Sequence, residues 1–571
     1  MSPADLTILC TDQEPYPSLR RVSSSVFDTP VTSHPIEGSA FQPAETSSRT
    51  NTPDHSSTGS TDRKHLSPDL TDVSICCISG GTGGNAICSA FGRRTTFILP
   101  ISDDGGSSSE ILRCLGGPSI GDIRSRLIRL APAYASSSSL GAIIRLLSYR
   151  LPAEASEQEV KSLWREIVEG TSELWDGVAE DRKEILHRFF VHFESEILQR
   201  AHKGFSFRNC SLGNVFLSSA QRFFLSLPAA IFLFASITEI QSQCSVIPAI
   251  LTNHTATIAA ELENGETIVG QCNISHPAVT EPALSDSTVE SATNRSYSSP
   301  LPVQVRLGKV GLEDGIYSLG RGGVSQSSKK AINTPGGSNL VFKRTGEAED
   351  ENSLDATQGL TSRIKRILYI NVYGQEIFPT PNPEFLSSLA TRELFVYSCG
   401  SLWTSIMPCL ALEGVGSAIA TSTSLKAKIF LLNSSNDRET IGYTALTYIE
   451  AIVRTLNRHD SPVRQTHSRR PSLLSSTFLS SSVGGGGNAS TPTTLDARKN
   501  NLLSFRIKPS QLISHLIYLE SGKVDIETDV IEALGIKVIR LQGTNRFSNS
   551  RFSTESTKEA LRHVMLDTST S

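Results

Sequence analysis

Apolar positions along the chain fall into short continuous runs and longer periodic stretches. "DVSICCIS" (Asp72–Ser79) and "TTFILPIS" (Thr95–Ser102) are unbroken apolar runs bounded by polar or glycine-rich turns, which predicts buried strands. Between them, "NAICSAFG" sets Ile87, Ala90 and Phe91 on one helical face. "GDIRSRLIRLA" predicts a helix with Ile123, Leu127 and Ala131 inward, and Gln158 to Ala201 predicts two amphipathic helices broken near Gly170. "FFLSLPAAIFLFASI" (Phe223–Ile237) predicts one buried helix. It is shorter than the roughly 20 residues a membrane span needs, and Pro228 interrupts it. Later come "IKRILYINV", "ELFVYSC", "AKIFLLNS" and "IKVIRLQ", each short and β-rich, with helical patterns between. Such alternation predicts an α/β fold, a Rossmann-like three-layer sandwich with a mainly parallel sheet. Sites in these sheets lie at the carboxyl ends of the strands.

Composition then divides the 571 residues. Residues 1–70 are rich in Ser, Thr, Pro and Asp without periodicity, which predicts a disordered tail. Similar stretches at about 278–362 and 460–500 read as disordered insertions into one α/β domain over 71–545, leaving 546–571 as a C-terminal tail. The formal net charge is −4, which implies no basic face, so nucleic acid is not an expected partner. The ten cysteines lack metal-type CxxC pairs and read as reduced core thiols. The N-terminal stretch has several acids and no apolar core of a signal peptide. The expectation is a cytoplasmic protein without membrane attachment; a homodimer is left open.

Chemistry gathers at the strand ends. "SGGTGGNA" (Ser79–Ala86) joins the first strand to a helix, and such a turn offers backbone N–H groups to an anion. No Gly-Lys-Ser/Thr follows, so it is no Walker A loop. Gly81, Gly83 and Ala86, with Asp103 further on, satisfy a dinucleotide fingerprint, a weak pattern that also occurs as a tight turn without ligand. Asp103 and Asp104 follow the second strand. Adjacent like charges call for something to offset them, whether solvent, a divalent cation shared with a diphosphate, or a substrate hydroxyl. Gly105, Gly106 and Ser107 come next and permit close backbone approach. Asp122 stands where a helix N-cap belongs. Arg124, Arg126 and Arg129 are suited to phosphate or solvent, with Arg124, nearest the helix start, favoured for function. Asn214 precedes an apolar helix, and Ser401 and Thr404 follow a strand that runs into Cys399-Gly400. Asn433, Glu439 and Thr440 lie at one more strand end.

The stretches "ISGGTGG", "DDGGSSSEILR", "GDIRSRL", "LGNVFL", "GSLWTSIMPCL" and "NDRETIGYTA" together resemble the CofD-like family. That family holds the 2-phospho-L-lactate transferases and the YvcK-type gluconeogenesis factors. "GGPSIGDIRSRLIRLAP" and "INVYGQEIFPTPNPEF" look most like its fungal branch. The resemblance implies a Rossmann-like fold and a nucleotide diphosphate or nucleotide-sugar ligand. For the transferases it implies Mg²⁺-assisted attack of a hydroxyl on phosphorus. It aligns the ligand loop with Gly80, Gly81, Thr82, Gly83 and Gly84, the metal-binding acids with Asp103 and Asp104, and the active-site aspartate with Asp122. Here "GPSIGD" stands where the transferases carry "SPDLD", so one acid survives at that position. "SCGS" replaces the usual Gly-Pro-Gly-Ser and leaves Ser401 in place. The activity implied is transfer of a phospholactyl-type group from a nucleotide diphosphate to a hydroxyl acceptor. The alternative is a non-catalytic nucleotide-sugar regulator of carbon metabolism or cell-wall synthesis.

Overall fold

Seven strands lie side by side, and every pairing among them is parallel. They are β1 (Ile75–Ile78), β2 (Thr95–Leu99), β3 (Ser245–Pro248), β8 (Leu394–Tyr397), β9 (Ala427–Leu431), β10 (His515–Leu519) and β11 (Lys537–Leu541). The order is β11-β10-β9-β8-β1-β2-β3. The computed structural model that shows this describes residues 72–240, 243–276, 359–460, 494–542 and 551–570. The tail over 1–70 and nearly all of both expected insertions lie outside these residues.

Alternation along the strands explains the layers. Cys76, Ile78, Ile98, Phe395 and Tyr397 point into one core, whereas Ile75, Cys77, Phe97, Leu394 and Val396 point into another. Both faces are therefore buried, and parallel strands without a polar face follow. Among the described residues no disulfide joins cysteines, and most thiols sit in these cores.

The run "IKRILYINV" departs from the expectation. It forms β6 (Ile364–Ile370), which belongs to a separate antiparallel sheet and not to the parallel one. That sheet has the order β5-β4-β6-β7, with β4 (Thr257–Leu262), β5 (Thr267–Val269) and β7 (Glu376–Ile377). Lys365 is exposed and Arg366 half-buried, so the strand has a wet face that a fully covered parallel strand lacks. The sheet stands between β3 and β8 in the chain and carries a short helix, Gln271–Ser275.

Two amphipathic helices appear as expected, at Glu157–Glu169 and Glu180–Gln199. The first opens on a Ser156–Glu159 capping box and ends on Gly170, whose φ of 78° lies in the left-handed region. The stretch 223–237 is not one buried helix. One helix ends at Phe224, Leu225 turns left-handed, and Pro228 sits in the first turn of the next helix, Leu227–Ile237. Phe223, Leu225 and Phe232 are exposed there. The expected C-terminal tail is also revised: Thr554–Thr570 is helical, and its Ala560, Leu561 and Val564 are buried in the core with Ile75 and Phe97. Likewise Thr494–Ser504 is a helix, begun before the expected end of the second insertion. Among the described residues no single helix is long and apolar enough to cross a membrane.

Candidate functional site at the switch point

Strand order reverses around β1: β2 and β3 lie to one side, β8 to β11 to the other. In doubly wound sheets the crevice outside the carboxyl ends at this reversal is where ligands bind. Two glycine turns meet there. The first leaves β1 through Ser79 and an extended Gly80, and the helix Gly81–Ala86 begins at once. The second leaves β8 through Ser398 and Cys399 to Gly400, ahead of a wide helical turn, Leu402–Ile406. Gly84 is required by close approach. A Cβ there would stand 2.0 Å from Ser79 Oγ and 3.1 Å from the Cys399 carbonyl oxygen. Gly400 has φ of 151°, and a Cβ there would lie 2.9 Å from the Gly80 carbonyl oxygen. Asn433, at the end of β9, holds this turn from both sides. Its Nδ2 donates to the Gly400 carbonyl at 2.8 Å, and its Oδ1 accepts from the Gly400 N–H at 3.4 Å.

The paired acids sit at the tip of β2, on the same sheet edge as the glycine turns, because β1 and β2 are parallel neighbours. What offsets them is largely protein. Asp103 Oδ1 accepts from the Gly105 N–H at 3.1 Å and from Gln271 Nε2 at 3.3 Å. Asp104 Oδ1 accepts from the Cys272 N–H at 2.7 Å. The donors Gln271 and Cys272 belong to the short helix of the antiparallel sheet, far away in sequence. Burial nevertheless pushes the Asp104 carboxyl above its ordinary range, against the pull of these backbone donors. Gly105 caps the helix Gly106–Leu115, which places Ser107 in its first turn.

Asp122 is not the N-cap. The helix Gly121–Leu130 is capped at Ile120, so Asp122 occupies its first turn, where a carboxylate is favoured by the helix dipole. The Asp122 charge acts through space on Cys409, whose thiol is pushed up strongly by burial and further by that charge. Arg124 and Asn214 meet: Arg124 Nε donates to Asn214 Oδ1 at 3.2 Å. Both are buried, and Arg124 packs where a Cβ on Gly213 would stand. Burial, with Arg150 and Arg129 nearby, pushes the Arg124 guanidinium down to about 10. Arg126 faces neither solvent nor an open cleft; it is fully buried.

Thr404 is buried and its hydroxyl donates to Glu439 Oε1 at 2.6 Å. The backbone of Ser401 accepts from the Ser405 and Ile406 N–H groups. Glu439 is the group whose weight sequence reasoning missed. Its carboxylate accepts from the Trp403 and Thr404 N–H groups, from the Thr404 hydroxyl and from Ser275 Oγ. It thereby ties the β8 turn to the helix that holds Asp103 and Asp104. Burial, reinforced by the Asp437 charge, pushes the Glu439 carboxyl up to about 7. The polar end of β9 was visible in sequence; that a lone glutamate would join three segments was not.

Fold and site together define a doubly wound α/β protein with glycine-rich tips on both sides of its switch-point crevice. Within that class, the chain belongs to the CofD family: residues 75–481 match the family model described as 2-phospho-L-lactate transferase CofD. A Saccharomyces cerevisiae protein described as uncharacterised is 31% identical over 495 residues, which is 84% of this chain and 97% of that one. A gluconeogenesis factor of Halalkalibacterium halodurans is 31% identical over 135 residues, 23% of this chain and 41% of the relative. A crystal structure of a UPF0052 family protein from Bacillus halodurans superposes with a TM-score of 0.47 at 15% identity, covering 86% of this chain and 99% of its own.

Proposed function

We propose that the chain binds a nucleotide diphosphate across the β1–β8 crevice and transfers its phosphorus-linked, phospholactyl-type group to a hydroxyl acceptor. The observation that supports this most is the packing of the two glycine turns against each other at the switch point, with Asp122 and the Arg124–Asn214 pair on the adjoining helices. Backbone N–H groups of Gly81 to Gly84 are the donors for the diphosphate, and Ser401 closes the opposite side. Asp122 orients the acceptor hydroxyl and takes its proton. Positioning and charge neutralisation supply most of the rate in such transfers.

A Mg²⁺ ion is the cofactor this reading calls for. Among the described residues no group of three or more His, Cys, Asp or Glu is arranged for a metal. Mg²⁺ needs no such cage, since one or two carboxylates plus phosphate oxygens hold it. Asp103 and Asp104 fit that pattern and would hold the ion, which when bound neutralises the diphosphate.

A second reading has its own support. The β2-tip carboxylates already accept hydrogen bonds from Gly105, Gln271 and Cys272, and one relative is a gluconeogenesis factor. On that reading the site holds a nucleotide sugar without turning it over. Incubating the full chain and Mg²⁺ with GDP- and UDP-linked donors separates the two. Release of nucleoside monophosphate, lost in Asp122→Asn while ligand-induced thermal stabilisation persists, supports the transferase. Stabilisation by UDP-sugars with no release supports the sensor. Absence of stabilisation by every nucleotide diphosphate overturns both.

A further inference from the structure

Arg126 lies beneath the first glycine turn with no solvent exposure. One of its nitrogens, Nη2, donates to Ser79 Oγ at 2.6 Å, and its guanidinium carbon stands 4.5 Å from the centre of the Phe97 ring. Nε and Nη1 have no hydrogen-bond partner among the described residues, so no carboxylate touches the guanidinium there. Two of the neighbouring thiols do not balance it. Burial holds Cys77 and Cys244 up at about 12, so both are neutral near pH 7. Asp122, one helical turn earlier, opposes the charge only through space. A buried cation in contact with a neutral hydroxyl and an aromatic ring is an expensive arrangement for folding alone. Its position is specific: a Cβ on Gly84 would lie 3.2 Å from Nη2, so the guanidinium abuts the backbone of the glycine turn.

We infer that the missing counter-charge is supplied by the ligand: Arg126 is a buried electrostatic determinant that selects a polyphosphate at the glycine turn above it. The inference rests on reading that turn as an anion site, and adds that ligand charge, beyond backbone donors, sets affinity. Because the guanidinium is shielded from solvent, its attraction acts through protein and is poorly screened by salt. The amides of the turn fix where the phosphates sit, and Arg126 fixes how negative they must be.

The test uses the full chain with three probes: inorganic pyrophosphate, GDP and UDP. Affinities are measured calorimetrically for wild type, Arg126→Met and Arg126→Lys, together with melting temperatures without ligand. Arg126→Met, which fills similar volume without charge, is expected to melt no lower than wild type yet bind the tightest probe about tenfold or more weakly. Arg126→Lys is expected to keep most of the affinity, because it keeps the charge. Unchanged affinity in Arg126→Met overturns the inference while leaving the site intact. If Arg126→Met does not fold, Arg126→Lys decides: retained binding supports the inference, and a loss of affinity of about tenfold or more overturns it. Failure of wild type to bind any probe removes the anion site itself, an outcome distinct from the others.

Discussion

Two carboxylate sites flank the crevice, and they are built differently. At the β2 tip, Asp103 and Asp104 are adjacent, only partly buried, and held mainly by backbone amides. After β9, Glu439 is 3% exposed and bonded to two hydroxyls and two amides. Both sites are tied to the same short helix, Gln271–Ser275, one through its first turn and the other through its last residue. The difference teaches that conspicuous charge in a sequence and mechanical weight in a fold need not coincide. The acidic pair draws the eye, while Glu439 joins the segments.

Breaking the clamp is expected to have the largest effect. Glu439→Ala leaves two buried amides and two hydroxyls without their acceptor, and should cost about 3 kcal/mol or more in denaturant unfolding. It should also abolish ligand-induced stabilisation, since the β8 turn and the Asp103–Asp104 loop lose their common anchor. A loss below about 1 kcal/mol would show that the comparison overstates Glu439.

Titration sharpens the contrast. The folded state holds the Glu439 proton up to about pH 7, against an ordinary value of 4.5. The stability linked to this group is therefore complete below pH 4.5 and lost as pH rises through 7, by at most about 3 kcal/mol. Glu439→Gln should flatten that slope in urea midpoints measured across the window.

The β2 tip should respond less. Asp104→Asn keeps an oxygen for the Cys272 N–H and should shift stability by about 1 kcal/mol, read by the same unfolding curves. Its raised carboxyl value means that the charge costs stability as pH climbs past the ordinary carboxylate range, and the Asn variant should lack that decline. The smallest effect belongs to Thr404→Val, about 1 kcal/mol or less, since Ser275 Oγ, which also meets the Thr404 hydroxyl, keeps Glu439 as its acceptor. Because the Thr404 hydroxyl pulls the Glu439 carboxyl down, this variant should move the pH transition upward.

Much of the parallel sheet was legible in the chain. β1, β2, β8 and β9 are unbroken apolar runs, and two-sided burial is what such runs mean. β6 was misassigned because its apolar residues were weighed and its Lys365–Arg366 pair was not; adjacent charges argue against a strand covered on both faces. The glycine turns were legible as turns, yet their mutual packing depends on β1 pairing with β8, which local pattern does not encode. Apart from the Gly105 N–H, the amides that offset Asp103 and Asp104 come from 168 residues away, so their identity was hidden in the same way. The burial of Arg126 was hidden by periodicity. Ile123, Arg124, Arg126 and Leu127 are all buried, so that helix is covered around much of its circumference, and an arginine on it need not face water.

The pairing of β1 with β8 spans 319 residues, as the Ser74–Glu393 contact beside it shows. A ribosome adding roughly 5–20 residues per second delivers the central strand about 15–60 s before its left-hand neighbour. Throughout that interval one edge of the nascent sheet stands uncapped. The newborn chain thus passes through an extended period in which a chaperone, or a wrong strand, has access to the seam where the crevice will later close.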